Sequence, residues 1–91
     1  MAAIQVGRIV TKTMGREAGE RAIIAAIIDK NFVLLSGAGI SKVRRRRANI
    51  DHVEPMDILV DIAKEADDAT IKAAVESNAD AKKALSTRTK F

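Results

Sequence analysis

Residues 21–28 read Arg-Ala-Ile-Ile-Ala-Ala-Ile-Ile, and this run narrows what the rest of the chain can fold into more than any other. Its β-branched isoleucines suit a pleated strand better than a helix. Alternation places Ile23, Ala25 and Ile27 on one side and Ala22, Ile24, Ala26 and Ile28 on the other, so both faces are apolar. A strand of that kind must be covered twice. Ninety-one residues give one domain, and because sixteen alanines inflate the 47% apolar content, its single small core has to come from Ile, Val, Leu and Phe32. Something from the C-terminal half is therefore expected to pack over the outer side of this strand.

The flanking segments supply its partners. Residues 4–12 (IQVGRIVTK) mix β-branched and polar residues in near alternation, which predicts a strand with one face inward and Arg8 and Lys12 displayed on the other. Gly7 marks a bend or bulge in it. Gly15 and Gly19 bracket a charged loop in which positive φ is easy, with Arg16 at its tip. On the other side, Asp29-Lys30-Asn31 is a tight turn and Phe32-Val33-Leu34-Leu35 returns as the second arm of a hairpin. Residues 36–39 turn again, and residues 40–47 predict a fourth strand running into four consecutive arginines. Residues 48–54 form a short strand or turn ending at Pro55, which breaks the pattern, and Ile58, Val60 and Ile62 suggest a last short strand.

From Asp67 the periodicity changes. Asp67 or Asp68 caps a helix in which Ile71, Ala74 and Val75 share a face while Lys72 and Glu76 face solvent. Asn78 and Asp80 interrupt it and cap a second short turn through Lys82, Lys83 and Leu85, before a basic tail over residues 86–91. The chain is thus mainly β: a small barrel of about five strands over residues 1–62, and a helical acidic appendage over residues 63–91 ending in the basic tail.

Charge divides along the same line. Residues 1–50 carry ten Lys/Arg against three Asp/Glu, +7, and residues 51–91 carry six against nine, −3. The basic half suits a polyanion and the acidic half repels one. Cysteine is absent, which excludes disulfides and thiolate metal sites and is compatible with cytosol. The N-terminus lacks a signal-peptide pattern, and the longest apolar run has seven residues, Ala22 to Ile28, against the roughly twenty needed to span a bilayer. A soluble protein without membrane partners is expected. His52 stands alone with no second histidine, so neither a metal site nor a general base is expected there, and Asp67-Asp68 reads as a cap rather than a magnesium site. Gly37-Ala38-Gly39 is a turn, because Lys42 stands where a dinucleotide fingerprint needs its third glycine. Nothing supports an enzyme, a cofactor or a small-molecule substrate.

Arg44, Arg45, Arg46 and Arg47 carry the functional signal. On a strand they diverge in pairs, Arg44 with Arg46 and Arg45 with Arg47, and their guanidinium forks suit phosphate oxygens. Lys42, Arg16, Arg8, Lys12 and Arg21 extend the patch where the fold brings them to the same face. With no Tyr or Trp, Phe32 in the core and Phe91 at the end, the chain has no platform for stacking bases and should grip phosphates and the shape of folded RNA.

Gly7-Arg8-Ile9-Val10, residues 15–19 (GREAG) and residues 27–31 (IIDKN) resemble a KOW motif, the RNA-binding motif built on an SH3-like barrel. With residues 43–50 (VRRRRANI) and 52–55 (HVEP), the stretch from about residue 3 to 62 is similar to the archaeal and eukaryotic large-subunit ribosomal proteins of the fourteen-e type. That resemblance implies an SH3-like barrel, a cytoplasmic place on the ribosome, and contact with ribosomal RNA and neighbouring large-subunit proteins. It puts Gly7, Gly15, Arg16, Gly19 and the four arginines in motif positions. The alternatives are a KOW module of a transcription or translation factor and, in a different class, an SH3-like adaptor for peptides, which needs exposed aromatics that this chain lacks.

Overall fold

The structure is a computed structural model and describes residues 4–14, 18–37, 43 and 45–86. Within them the two-faced run becomes β2 (Arg21–Ile27), flanked by β1 (Arg8–Lys12) and β3 (Phe32–Ser36). The remaining strands are β4 (Arg46–Asn49) and β5 (Val53–Leu59), and the antiparallel sheet runs β4-β3-β2-β1-β5 with β2 in the middle. Two helices follow, α1 (Asp68–Glu76) and α2 (Ala79–Ser86).

The order of the strands forces the sheet to curl. β4 and β5 are its two outer strands, yet only a 3-10 turn, Ile50–His52, joins them. In a flat sheet, strands four places apart would lie about 19 Å from one another. The step from Asn49 to Val53 reaches only about 14 Å. The edges must therefore approach, as the expected barrel requires. The turn is bonded to both sides of the gap: the Ile50 N–H donates to the Asn31 carbonyl at 2.9 Å, and the His52 carbonyl accepts from the Thr13 N–H at 2.9 Å.

Both faces of β2 are covered, as its composition demands. Ala22 and Ile24 face the inside of the curl with Val10, Val33, Leu35, Val43 and Val53. Ile23 and Ala25 face outward, where Ile9, Val60 and the helical residues Ile71, Val75, Ala81, Ala84 and Leu85 cover them. The expected single core is thus two clusters back to back through the sheet, because the helices close the outer face instead of hanging free of it. Each fully buried Ile, Val or Leu contributes about 1.5–3 kcal/mol, so the helical layer is a large share of what holds the chain together. Ile27 and Ile28 escape this cover, being 41% and 47% exposed beside the hairpin turn. That turn is closed by Asp29, whose Oδ1 accepts from the N–H groups of Asn31 (2.7 Å) and Phe32 (3.0 Å).

Irregularities in the ladder serve the connections. Between β2 and β3 the register slips across Ala25, with Ile24 opposite Leu35 and Ala26 opposite Leu34. The Ala25 carbonyl accepts instead from the Glu65 N–H at 2.8 Å, tying the approach to α1 onto the sheet. Gly19, at φ +91°, donates to the Lys12 carbonyl while the Lys12 N–H donates to the Glu20 carbonyl, a glycine bulge that ends the β1–β2 pairing. Gly7 also has φ +91°, its carbonyl accepts from the Val60 N–H at 2.8 Å, and a Cβ placed on it would overlap the Val60 carbonyl oxygen.

Four strand expectations need correction. β1 starts at Arg8 and is buried on both faces, so Lys12 is 8% exposed rather than displayed. Of the fourth strand expected over residues 40–47, residues 40–42 and 44 lie outside the described residues, Val43 and Arg45 are not in a strand, and β4 takes Arg46 and Arg47 and continues through Asn49. Pro55 does not break the pattern. It lies within β5, opposite Val10, where an edge strand tolerates a missing donor. The last strand accordingly begins at Val53 and ends before Val60. The helices follow their sequence signals: Asp67 Oδ1 caps α1 by accepting from the Thr70 N–H at 2.7 Å, and Asn78 Oδ1 accepts from the Ala81 N–H at 3.2 Å. No helix among the described residues is long and apolar enough to cross a membrane.

Gly7→Ala is expected to lower unfolding stability by on the order of 2–4 kcal/mol and the melting temperature by about 10 °C or more, since it adds both left-handed strain and a backbone clash. Denaturant titration reads this directly, and a loss under about 0.5 kcal/mol would contradict the geometry. A second expectation concerns acid. The Asp67 carboxyl titrates below its ordinary 3.8 because the Thr70 side chain and then the Thr70 backbone hydrogen-bond it, with the Arg45 charge adding to this and desolvation opposing it. Its contribution to stability is complete above the unfolded value and is lost as pH falls through the lowered folded one. Asp67→Asn keeps a capping oxygen that does not titrate, so helicity followed by circular dichroism from about pH 6 to about pH 2 should fall less in the variant than in the parent; parallel curves would refute the link.

Candidate nucleic-acid interface

β4 is short and lies at the edge of the sheet, bonded to β3 with Leu35 opposite Arg46, Leu34 opposite Arg47 and Phe32 opposite Asn49. Two residues before Asn49, Arg47 shares its face and is the diagonal neighbour of Phe32. Its guanidinium carbon accordingly sits 4.7 Å from the centre of the Phe32 ring, a cation–π contact of about 0.5–1 kcal/mol at an exposed site. Phe32 is half-buried and belongs to neither core cluster, against the sequence expectation that placed it in the core. The reason is its place as the first residue of β3, at the hairpin end of the curl.

Around this pair lies an open groove of about 520 Å³ lined by Lys12, Met14, Phe32, Arg46, Arg47, Ala48, Asn49 and His52. Three lining residues are permanently cationic, none is a carboxylate, and Met14 is 56% exposed at the rim. The groove forms where the curl brings the end of β1 up to β4 and the Ile50–His52 turn. Asn49 helps shape that turn, its Oδ1 accepting from the Asp51 N–H at 2.8 Å. Lys12 lines the groove although it is largely buried.

Arg45 does something else. Its Nη1 donates to the Ala66 carbonyl at 2.7 Å and to Asp68 Oδ1 at 3.1 Å, and its Nη2 donates to the Glu65 carbonyl at 3.4 Å. Asp68 Oδ1 also accepts from the Ser36 hydroxyl at 2.7 Å, and Ser36 is fully buried at the end of β3. The guanidinium therefore fastens the first turn of α1 to the sheet. The run divides between Arg45, which holds the helical layer, and Arg46 and Arg47, which line the groove.

Other predicted residues are scattered. Arg8 Nη1 donates to the Met56 carbonyl at 3.3 Å and Arg21 Nη1 to the Ala84 carbonyl at 3.4 Å. Both thus belong to the side of the molecule where Arg21, Met56, Ile58, Asp80, Lys83 and Ala84 line a second, smaller groove. Gly15, Arg16, Lys42 and Arg44 lie outside the described residues. Sequence reasoning missed Phe32, Met14, Asn49 and His52 as lining groups; the signal for Phe32 was its position directly after a turn, where a strand begins and cover is thin.

No family model matches the chain. Among proteins of known name, it is 52% identical over 79 residues to the large ribosomal subunit protein eL14 of Sulfolobus acidocaldarius, an alignment spanning 86% of this chain and 82% of that protein. It is 48% identical over 77 residues to eL14 of Methanococcus maripaludis, spanning 85% and 95% of the two chains. With eL14 of Aeropyrum pernix the identity is 53% over 74 residues, spanning 80% and 74%.

Arg45→Ala is expected to cost about 1–2 kcal/mol of stability, because charge-assisted bonds to α1 are lost while Asp68 keeps Ser36. Thermal unfolding checks it. A melting temperature unchanged from the parent would mean that the fastening of α1 does not depend on this side chain.

Proposed function

The chain belongs to the eL14 family of large-subunit ribosomal proteins, and on that footing we propose that it is a structural constituent of the large ribosomal subunit that holds folded ribosomal RNA at the groove between β4 and the Ile50–His52 turn. The observation that carries the second half is the composition of that groove: Lys12, Arg46 and Arg47 meet there without a carboxylate among the lining residues. Phosphates gain from such a concave cationic surface because several charges act on one segment of backbone, releasing its counterions together. Arg46 and Arg47 offer planar forks for phosphate oxygens, and Lys12 offers a compact point charge.

The role is structural rather than enzymatic, and it is exercised on the ribosome in the cytoplasm beside ribosomal RNA and other ribosomal proteins. Arg44, Lys42 and Arg16 are kept in this reading on their sequence positions alone, since they lie outside the described residues. Arg8 and Arg21 contribute less, being directed at carbonyls near β5 and α2.

The test pairs an affinity measurement with sedimentation. Changing Arg46 and Arg47 together to Ala is expected to reduce the log–log salt slope of ribosomal RNA binding by about two, at roughly 0.9 per lost phosphate contact by analogy with duplex DNA. Cosedimentation with large subunits should fail at high salt while the melting temperature stays near the parent's. An unchanged slope would show that these two side chains are merely solvated.

A further inference from the structure

We propose that the groove accepts one unpaired nucleotide extruded from the folded RNA, with its base stacked on the Arg47–Phe32 pair. This deepens the RNA reading given above and rests on it. Phosphate attraction alone needs only charge, yet this groove combines charge with three features that a backbone does not use. The first is the cation–π contact: the Arg47 guanidinium carbon lies 4.7 Å from the centre of the Phe32 ring, which places a planar cation beside an aromatic ring in the groove lining. Bases stack on arginine planes as they do on aromatic rings. The second is size. About 520 Å³ of open groove is space on the scale of small-ligand sites, roughly 300–1,000 Å³, and exceeds what a phosphate requires.

The third feature is a polar edge opposite an apolar rim. Met14 is 56% exposed at the groove, an exposed thioether suited to the flat face of a base. Asn49 lines the groove and accepts at Oδ1 from the Asp51 N–H, and its Nδ2 amide supplies donors. A donor at the end of a stacking pocket suits a base-edge carbonyl acceptor, as on uracil or guanine. Arg46 and Lys12 line the same groove and can hold the flanking phosphates. A base stacked here departs from the expectation that the chain has no platform for stacking bases, because Phe32 is half-buried and lines the groove instead of belonging to either core cluster.

The experiment uses two RNA hairpins of equal length, one fully paired and one with a single bulged 2-aminopurine. The bulged RNA is expected to bind about tenfold more tightly, with the fluorescence of its 2-aminopurine quenched on binding. Phe32→Leu and Arg47→Lys should each abolish the preference and the quenching, while both variants still bind the two hairpins with equal, salt-dependent affinity. Arg47→Lys keeps the charge and leaves the ring in place, so it decides the matter should Phe32→Leu fail to fold. Equal, salt-dependent affinities for the two hairpins would overturn the stacking site and leave the RNA reading intact. A preference that survives both substitutions would overturn it too. No salt-dependent binding of either hairpin would remove the RNA reading itself, and tighter binding of polyglutamate than of bulged RNA would assign the groove to an acidic protein.

Discussion

β2 has no face that tolerates water, and satisfying that constraint organises the molecule. Burial of Ala22 and Ile24 needs the sheet to curl until its edges approach; burial of Ile23 and Ala25 needs a second layer from outside. A sheet alone supplies the first and cannot supply the second, so α1 and α2 are part of the same fold energetically. The chain uses a backbone defect to place them. Skipping Ala25 in the ladder frees a carbonyl for Glu65, and Arg45 and Ser36 then hold Asp68 at the start of α1.

That arrangement explains why the described arginines of the run go to two different places. Arg45 precedes β4 and turns towards the helices, where three acceptors converge on it. Arg46 and Arg47 lie on the edge strand itself, beside a groove that exists only because the short Ile50–His52 turn draws β5 and β1 across to β4. The same curl that closes the inner core therefore makes the cationic concavity. Stability and binding are linked through geometry while resting on different side chains.

Much of this was legible in the sequence. Two-sided apolarity in residues 21–28 required outside cover, and the Ile71, Ala74 and Val75 spacing identified what supplies it. Caps at Asp67 and Asn78 and the Asp29 turn were readable because each works through bonds only two or three residues away. Lys12 and Phe32 were misread because their surroundings are set by distant partners: Lys12 shares the face of Val10 and lies opposite Val53, where the curl closes over it, and the first position of β3 lies at the end of the curl. Pro55 was misread for a related reason, since a proline is excluded from a central strand but not from an edge, and strand order is not a local property. The strand parity assumed for the arginines failed once Arg45 proved to lie before β4.

The central claim is directional: the proposed contact with ribosomal RNA is concentrated on the β4 side of the barrel and not on the helical side. Ultraviolet cross-linking within intact large ribosomal subunits, followed by mass spectrometry of the RNA-bound peptides, measures it most directly. The account predicts cross-links on Phe32, Met14 or His52 and on peptides containing Arg46 and Arg47. Cross-links confined to α1 and α2, with none on the groove residues, would contradict it.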